Sequence, residues 1–144
     1  MEQRVSFITL GVTDLDRARA FYQALGWTPA KYGEGAGVVF FEIGPGLVLA
    51  LYPRAELARD ANLPDAGPGA FSGVSLSYNT RSREEADAIM AQAQRAGARV
   101  LTPAAEVFWG GYVGYFADRE GHLWEVAYNP KADIGPRGEI RLPS

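Results

Sequence analysis

The side chains able to do chemistry are few. The chain of 144 residues carries one histidine and no cysteine. Without cysteine there are no disulfides, thiolate nucleophiles, iron–sulfur clusters or cysteine-ligated zinc. With one imidazole, a two-histidine-one-carboxylate centre cannot be built within one protomer. The histidine, His122, precedes Glu125 by three residues in GHLWEVAY, beside a turn at Asp118 to Gly121. By strand parity it points to the side of Trp124, which suits a turn or hydrogen-bonding role. Upstream, Phe108 and Trp109 run into Gly110 and Gly111. That pair of glycines fits either a flexible lip or an ordinary turn whose aromatics pack as core. Asp14, Asp16, Glu84 and Glu85 read as helix-start charges.

The remaining composition describes an ordinary folded domain, 47% hydrophobic and 22% charged. A net charge of −3 gives no electrostatic case for nucleic acid. No apolar run of 18 residues exists, and MEQRVSFITL lacks the basic-then-apolar order of a signal peptide, so the expectation is a soluble, cytoplasmic protein with no membrane partner.

The elements that would position these residues follow from pattern. VSFITLGV alternates as a strand, then TDLDRARAFYQALGW opens with Thr13 and Asp16 in an approximate capping box. Its apolar face is Ala18, Phe21, Tyr22 and Leu25, with Gly26 closing it. GVVFFEIGPGLVLALY predicts a hairpin about Gly44-Pro45-Gly46. A Pro/Gly/Asp-rich loop, Arg59 to Ala70, follows. The order then recurs: a strand in FSGVSLSY, a helix opened by the capping box Ser82 to Glu85, buried through Ala86, Ile89, Met90 and Ala93 and closed by Gly97, and a second hairpin in GYVGYFADREGHLWEVAY. Strand–helix–strand–hairpin, twice, is a tandem repeat of about 65 to 75 residues. The predicted boundaries are module one at about 4–58, a linker at 59–70, module two at 71–129 and an extended tail at 130–144, all in one α+β domain.

Two βαβββ modules, opened by GVTDLDRARAFYQALGW and closed by GYFADREGHLWEVAYNP, resemble the vicinal-oxygen-chelate superfamily of glyoxalase I, bleomycin-resistance proteins and extradiol dioxygenases. The resemblance spans about Val5 to Pro143. It implies a cup-shaped mixed sheet with helices outside and a divalent metal between the modules. Aligning the repeats by their helix starts and last strands carries the family's ligand positions to Phe7, Ala50, Gly73 and Glu125. Three of these have no metal-binding side chain, and one carboxylate does not hold zinc, nickel or iron. Only an oxygen-ligated ion such as magnesium or calcium stays compatible. The expectation is therefore no metal and no cofactor.

Period-2 alternation then predicts the cup lining: Phe7, Thr9, Ala50, Tyr52, Gly73, Ser75, Ser77 and Glu125 from the outer strands. Hairpin pairing adds Val39, Phe41, Tyr112, Gly114 and Phe116, with Trp109 at the mouth. Such a wall fits a cavity for a small aromatic or hydrophobic molecule, or a core filled by Phe7, Phe41 and Phe116. Glu125 in an apolar cup would act as a general acid or base, or simply bond a neighbouring hydroxyl or arginine. Three functions follow: a metal-free binding protein like the bleomycin-resistance branch, a lyase- or dioxygenase-type enzyme resting on Glu125 or a metal, and an interaction module with a filled cup. The resemblance also implies a homodimer, which would cover exposed strand edges.

Overall fold

A computed structural model describes residues 1–143, and Ser144, the last residue of the expected tail, lies outside the described residues. The chain forms two compact units, Met1–Ala70 and the residues from Phe71 onward.

The first unit is built from β1 (Phe7–Val12), α1 (Leu15–Ala24), β2 (Val39–Gly44), β3 (Leu47–Pro53) and α2 (Arg54–Asp60). Its sheet runs β1-β3-β2, with β1 parallel and β2 antiparallel to the central β3. Helix α1 starts where a carboxylate can serve the first turn. Asp14, in extended backbone, accepts the Arg17 N–H at 3.0 Å, so the cap is Asp14 rather than Thr13. Gly26, at φ 92°, ends it as expected. Ala18, Phe21 and Tyr22 of α1 are buried together with Leu10, Val12, Phe41, Leu49 and Leu51 of the sheet. Burying a large apolar side chain contributes roughly 1.5–3 kcal/mol, so this layer dominates the unit's stability.

Two features of this unit differ from the sequence reading. Residues 27–38 form no second strand: 27–30 and 38 are irregular and 31–37 form a bend and turns. Gly33, Gly35 and Gly37 adopt φ of 84°, 76° and 76°, a left-handed backbone that interrupts any extended run. A single ladder-like bond, Ala30 N–H to the Phe40 carbonyl at 2.8 Å, ties the segment to β2. Helix α2 was not expected. It packs across β1 and β3, and a Cβ on Gly11 would lie 3.3 Å from the Arg54 Cα. The Arg54 guanidinium then holds the Asp65 carboxylate at 2.7 Å, which pins the loop that follows.

The second unit contains β4 (Leu76–Thr80), α3 (Arg83–Ala96), β5 (Arg99–Glu106), β6 (Tyr112–Ala117) and β7 (Leu123–Tyr128), followed by the short pair β8 (Asp133–Ile134) and β9 (Ile140–Arg141). Its sheet order is β4-β7-β6-β5, with β4 parallel to β7. Ser82 caps α3 by accepting the Glu85 N–H at 3.0 Å, and the Glu85 carboxylate reaches back to the Arg81 N–H. The buried face, Ala86, Met90 and Ala93, packs on β5, β6 and β7. Gly97 closes the helix at φ 107°. The tail is not loose throughout: β8 and β9 form a hairpin, and the Arg81 guanidinium donates to the Gly135 carbonyl at 2.9 Å.

Candidate functional site

In each unit the sheet has one face covered by its long helix and one face turned the other way. Ladder registers decide which residues share the second face. In the second unit Ser77 on β4 stands beside Glu125 on β7, and Glu125 stands beside Tyr115 on β6. All three side chains therefore rise on the face opposite α3. They are joined: the Ser77 hydroxyl donates to Glu125 Oε1 at 3.0 Å and the Tyr115 hydroxyl donates to Oε2 at 2.7 Å. Both carboxylate oxygens thus accept a hydroxyl, which holds the head group in one orientation. Donating to the Glu125 carboxylate, together with partial burial and the nearby negative charge, pushes the Tyr115 phenol above its ordinary pKa. Tyr115 thus keeps its proton and donates it in the hydrogen bond to Glu125.

The first unit presents the corresponding row on the face opposite α1. Thr9 on β1 stands beside Ala50 on β3, and Ala50 stands beside Phe40 on β2. Phe7 is 54% exposed and meets the Phe40 ring edge-on at 5.8 Å, while Ala50 is buried. Tyr32 also stacks on Phe40, with ring centroids 5.8 Å apart. Tyr52 lies further along β3 and donates to Asp60 of α2 at 3.2 Å.

The structure corrects the hairpin partners of both rows. Phe41 lies among Tyr22 and Trp27 on the α1 side, with ring centroids 5.8 and 5.7 Å away, and Val39 shares that face. Tyr112, Gly114 and Phe116 likewise lie on the α3 side. The Tyr112 hydroxyl donates to Asp87 of α3 at 2.7 Å, a Cβ on Gly114 would touch the Met90 side chain, and Phe116 stacks on Trp124. One residue in each hairpin causes the error. Between Glu42 and Gly44 a bulge shifts the register before the Pro45-Gly46 turn. In the second hairpin the loop between Asp118 and His122 has three residues, ending on Gly121 at φ 88°. Phe40 and Tyr115 are therefore the residues missed, and an odd loop closed by glycine is the signal that could have located Tyr115.

Gly73 and Ser75 precede β4 and are exposed. The two N-caps, Asp14 and Ser82, superpose the repeats, and Ser75, not Gly73, stands seven residues before its cap as Phe7 does. Trp109 sits in a tight turn, with Val107 N–H bonded to the Gly111 carbonyl at 2.9 Å, and its ring covers Gly111, where no side chain would fit. Phe108 is fully exposed beside it. His122 belongs to the turn: its N–H donates to the Asp118 carboxylate at 2.9 Å.

These positions do not fit a metal centre of the kind the resemblance implies. Phe7, Ala50 and Ser75 supply neither imidazole nor carboxylate, and Glu125 has both oxygens engaged by hydroxyls. Among the described residues, no three His, Cys, Asp or Glu side chains come together as a metal-holding group. Nor, among those residues, is any helix long and apolar enough to cross a membrane.

Two repeated α+β units, each with a parallel outer pair and an antiparallel hairpin beside it, define the class. The chain belongs to the Glyoxalase/Bleomycin resistance protein/Dioxygenase superfamily, whose pattern it matches over residues 4–126. It is similar to a glyoxalase-related enzyme from Fulvimarina pelagi at 33% identity, with 99% of this chain and 100% of that one covered and a TM-score of 0.87. A glyoxalase/bleomycin resistance protein/dioxygenase from Nocardioides is 25% identical, with 89% and 84% covered and a TM-score of 0.73. A lactoylglutathione lyase from Agrobacterium tumefaciens shares the fold at 24% identity, with 90% and 96% covered and a TM-score of 0.66. No curated protein matches the chain.

Proposed function

We propose that the chain binds a small aromatic or hydrophobic molecule without a metal, and that Glu125 is the polar anchor of its site. The observation that carries this reading is the Ser77–Glu125–Tyr115 set: a carboxylate stands where the family places a ligand, yet it is held by two hydroxyls. A clamped carboxylate keeps lone pairs for a donor group on a ligand while the clamp fixes its direction. On the same face, half-buried Leu123 offers apolar surface for the rest of the molecule, while Val113 and Ala127 are buried beneath the row.

Thermal-shift screening of aromatic metabolites, followed by calorimetric titration of hits, tests the proposal. A compound at 100 times its Kd stabilises by about 2.7 kcal/mol. Glu125→Gln should weaken a hit carrying a donor group about tenfold or more. Hits that bind Glu125→Gln as tightly as the natural chain would sink the anchor role. Binding that appears only with added nickel, zinc or manganese would sink the metal-free role.

A second reading, an enzyme using Glu125 as proton acceptor, is favoured by the similarity to the glyoxalase-related enzyme. Under it, Glu125→Gln abolishes turnover while leaving binding of a substrate analogue within a few-fold, the reverse of the anchor's signature. We further propose a homodimer. The edge strands β2 and β5 leave backbone groups for a partner to cover, and sedimentation velocity decides it.

A further inference from the structure

The oxygens about Glu125 share one hydrogen-bonding polarity. A carboxylate only accepts, so the contacts at 3.0 and 2.7 Å commit the Ser77 and Tyr115 hydroxyl protons to it. Each carboxylate oxygen then keeps about one lone-pair site, and each hydroxyl oxygen presents only lone pairs to a newcomer. The group is reachable: Ser77 is exposed, and Glu125 and Tyr115 are half-buried. Among the described residues no side-chain cation pairs with Glu125. Arg99, which register places opposite Ala117 on this face, is two strands and one rung from Glu125, roughly 12 Å between Cα atoms, and forms no ion pair among those residues.

Such a set selects by head group. A carboxylate or phosphate would meet a like charge and lone pairs alone. A neutral hydroxyl could donate once to Glu125, but its own oxygen would then lie against oxygens with no proton left to give. A primary ammonium has three donors, no acceptor and the positive charge that Glu125 lacks beside it. It can reach a carboxylate oxygen and the hydroxyl oxygen bonded to it together, because those atoms lie within 3.0 Å of each other. Asn79 and Thr102, two further polar groups on this face, stand one rung from Ser77 and one strand from Tyr115, and either can accept as well as donate. Half-buried Leu123, two residues along β7, meets the apolar remainder. Resting on the anchor role of Glu125, we infer that the ligand is an organic cation, a primary amine on a small aromatic or hydrophobic body, received by the acceptor set Ser77–Glu125–Tyr115.

The test is a ¹⁵N–¹H titration of the full chain at neutral pH in EDTA. The probes are benzylamine, phenethylamine and naphthylmethylamine, each beside the alcohol and the carboxylic acid of the same body. The expected result is saturable movement of the Ser77, Tyr115 and Glu125 amides with at least one amine, at a Kd of about 1 mM or tighter. Its alcohol and acid should bind at least about tenfold more weakly. Glu125→Gln, which keeps the shape and puts an amide donor among the oxygens, should bring amine and alcohol within about threefold of each other. Added salt should weaken the amine several-fold and leave the alcohol unchanged. An alcohol or acid that moves the same amides and binds as tightly as its amine overturns the inference, and the anchor role stands if Glu125→Gln loses that binding. An amine preference that survives in Glu125→Gln overturns both, as does the lack of saturable binding by all three amines.

Discussion

The two units carry the same three-across row with different atoms. Ser77–Glu125–Tyr115 in the second unit corresponds by ladder register to Thr9–Ala50–Phe40 in the first. The outer hydroxyl is kept, the carboxylate has become a methyl, and the tyrosine has lost its hydroxyl. A carboxylate on a sheet face needs acceptor bonds filled from both sides, because a charge removed from water without partners costs several kcal/mol. Where the flanking donor is missing, the carboxylate is missing too. The row in the first unit is accordingly apolar, with Phe7 and Tyr32 extending the aromatic surface about Phe40.

The largest expected effect tests the face assignment behind this comparison. Phe41 is buried to 2% exposure against Tyr22 and Trp27, whereas Phe40 is on the opposite face and half-buried. Phe41→Ala should cost about 3–5 kcal/mol in urea unfolding, and Phe40→Ala no more than about half of that. The reverse order would put the wrong phenylalanine in the row and dissolve the correspondence.

Next in size is an attempt to rebuild the missing carboxylate. Ala50 is 2% exposed, so Ala50→Glu adds bulk and a buried charge with Thr9 alone beside it, at a cost of about 3 kcal/mol or more. Adding Phe40→Tyr supplies the second donor and should return about 1–2 kcal/mol. A double variant no more stable than Ala50→Glu would mean that the two rows are alike in register but not in geometry.

How far the sequence disclosed these rows depends on the element. Strand β1, both long helices, their glycine ends and the buried stripe of α3 follow from local patterns: Ser82 and Glu85 for a cap, Ala86, Met90 and Ala93 for a face. Glu125, Ser77, Thr9 and Ala50 were placed on their faces by alternation along single strands. Alternation failed across the hairpins because parity there depends on one residue, the bulge between Glu42 and Gly44 or the third residue of the Asp118–His122 loop. Helix α2 was obscured for another reason: at seven residues, with no fully buried member, it has no stripe to read.

The Tyr115 hydroxyl gives a smaller and pH-dependent effect. Tyr115→Phe should cost about 1 kcal/mol at neutral pH by removing the donor to Glu125 Oε2. Because the phenol's pKa is raised in the folded state, folding favours its protonated form. That contribution is fully present below the unfolded value of about 10 and is lost as pH rises through the folded one. Stability measured from pH 8 to 11 should therefore fall less steeply in Tyr115→Phe. Tyr52 and Tyr112 are raised as well, by burial and Asp60 and by Asp87 respectively, and they set a background slope common to both proteins. Equal slopes would remove the pH-sensitive part of the clamp.

The smallest effect separates the two outer hydroxyls. Ser77 and Thr9 occupy equivalent positions and both are exposed, yet only Ser77 has a carboxylate to address. Water can replace an exposed hydroxyl, so Ser77→Ala should cost about 0.5 kcal/mol, and Thr9→Ala should fall within about that of zero. The informative quantity is the coupling. In a double-mutant cycle with Glu125→Gln, Ser77→Ala should show an interaction energy of about 0.5 kcal/mol, while Thr9→Ala against the same substitution should show none. A Ser77 cycle as flat as the Thr9 cycle would leave Tyr115 as the sole restraint on Glu125. The carboxylate would then be free to swing about one bond, which is a poorer anchor for a ligand than a head group held at both oxygens.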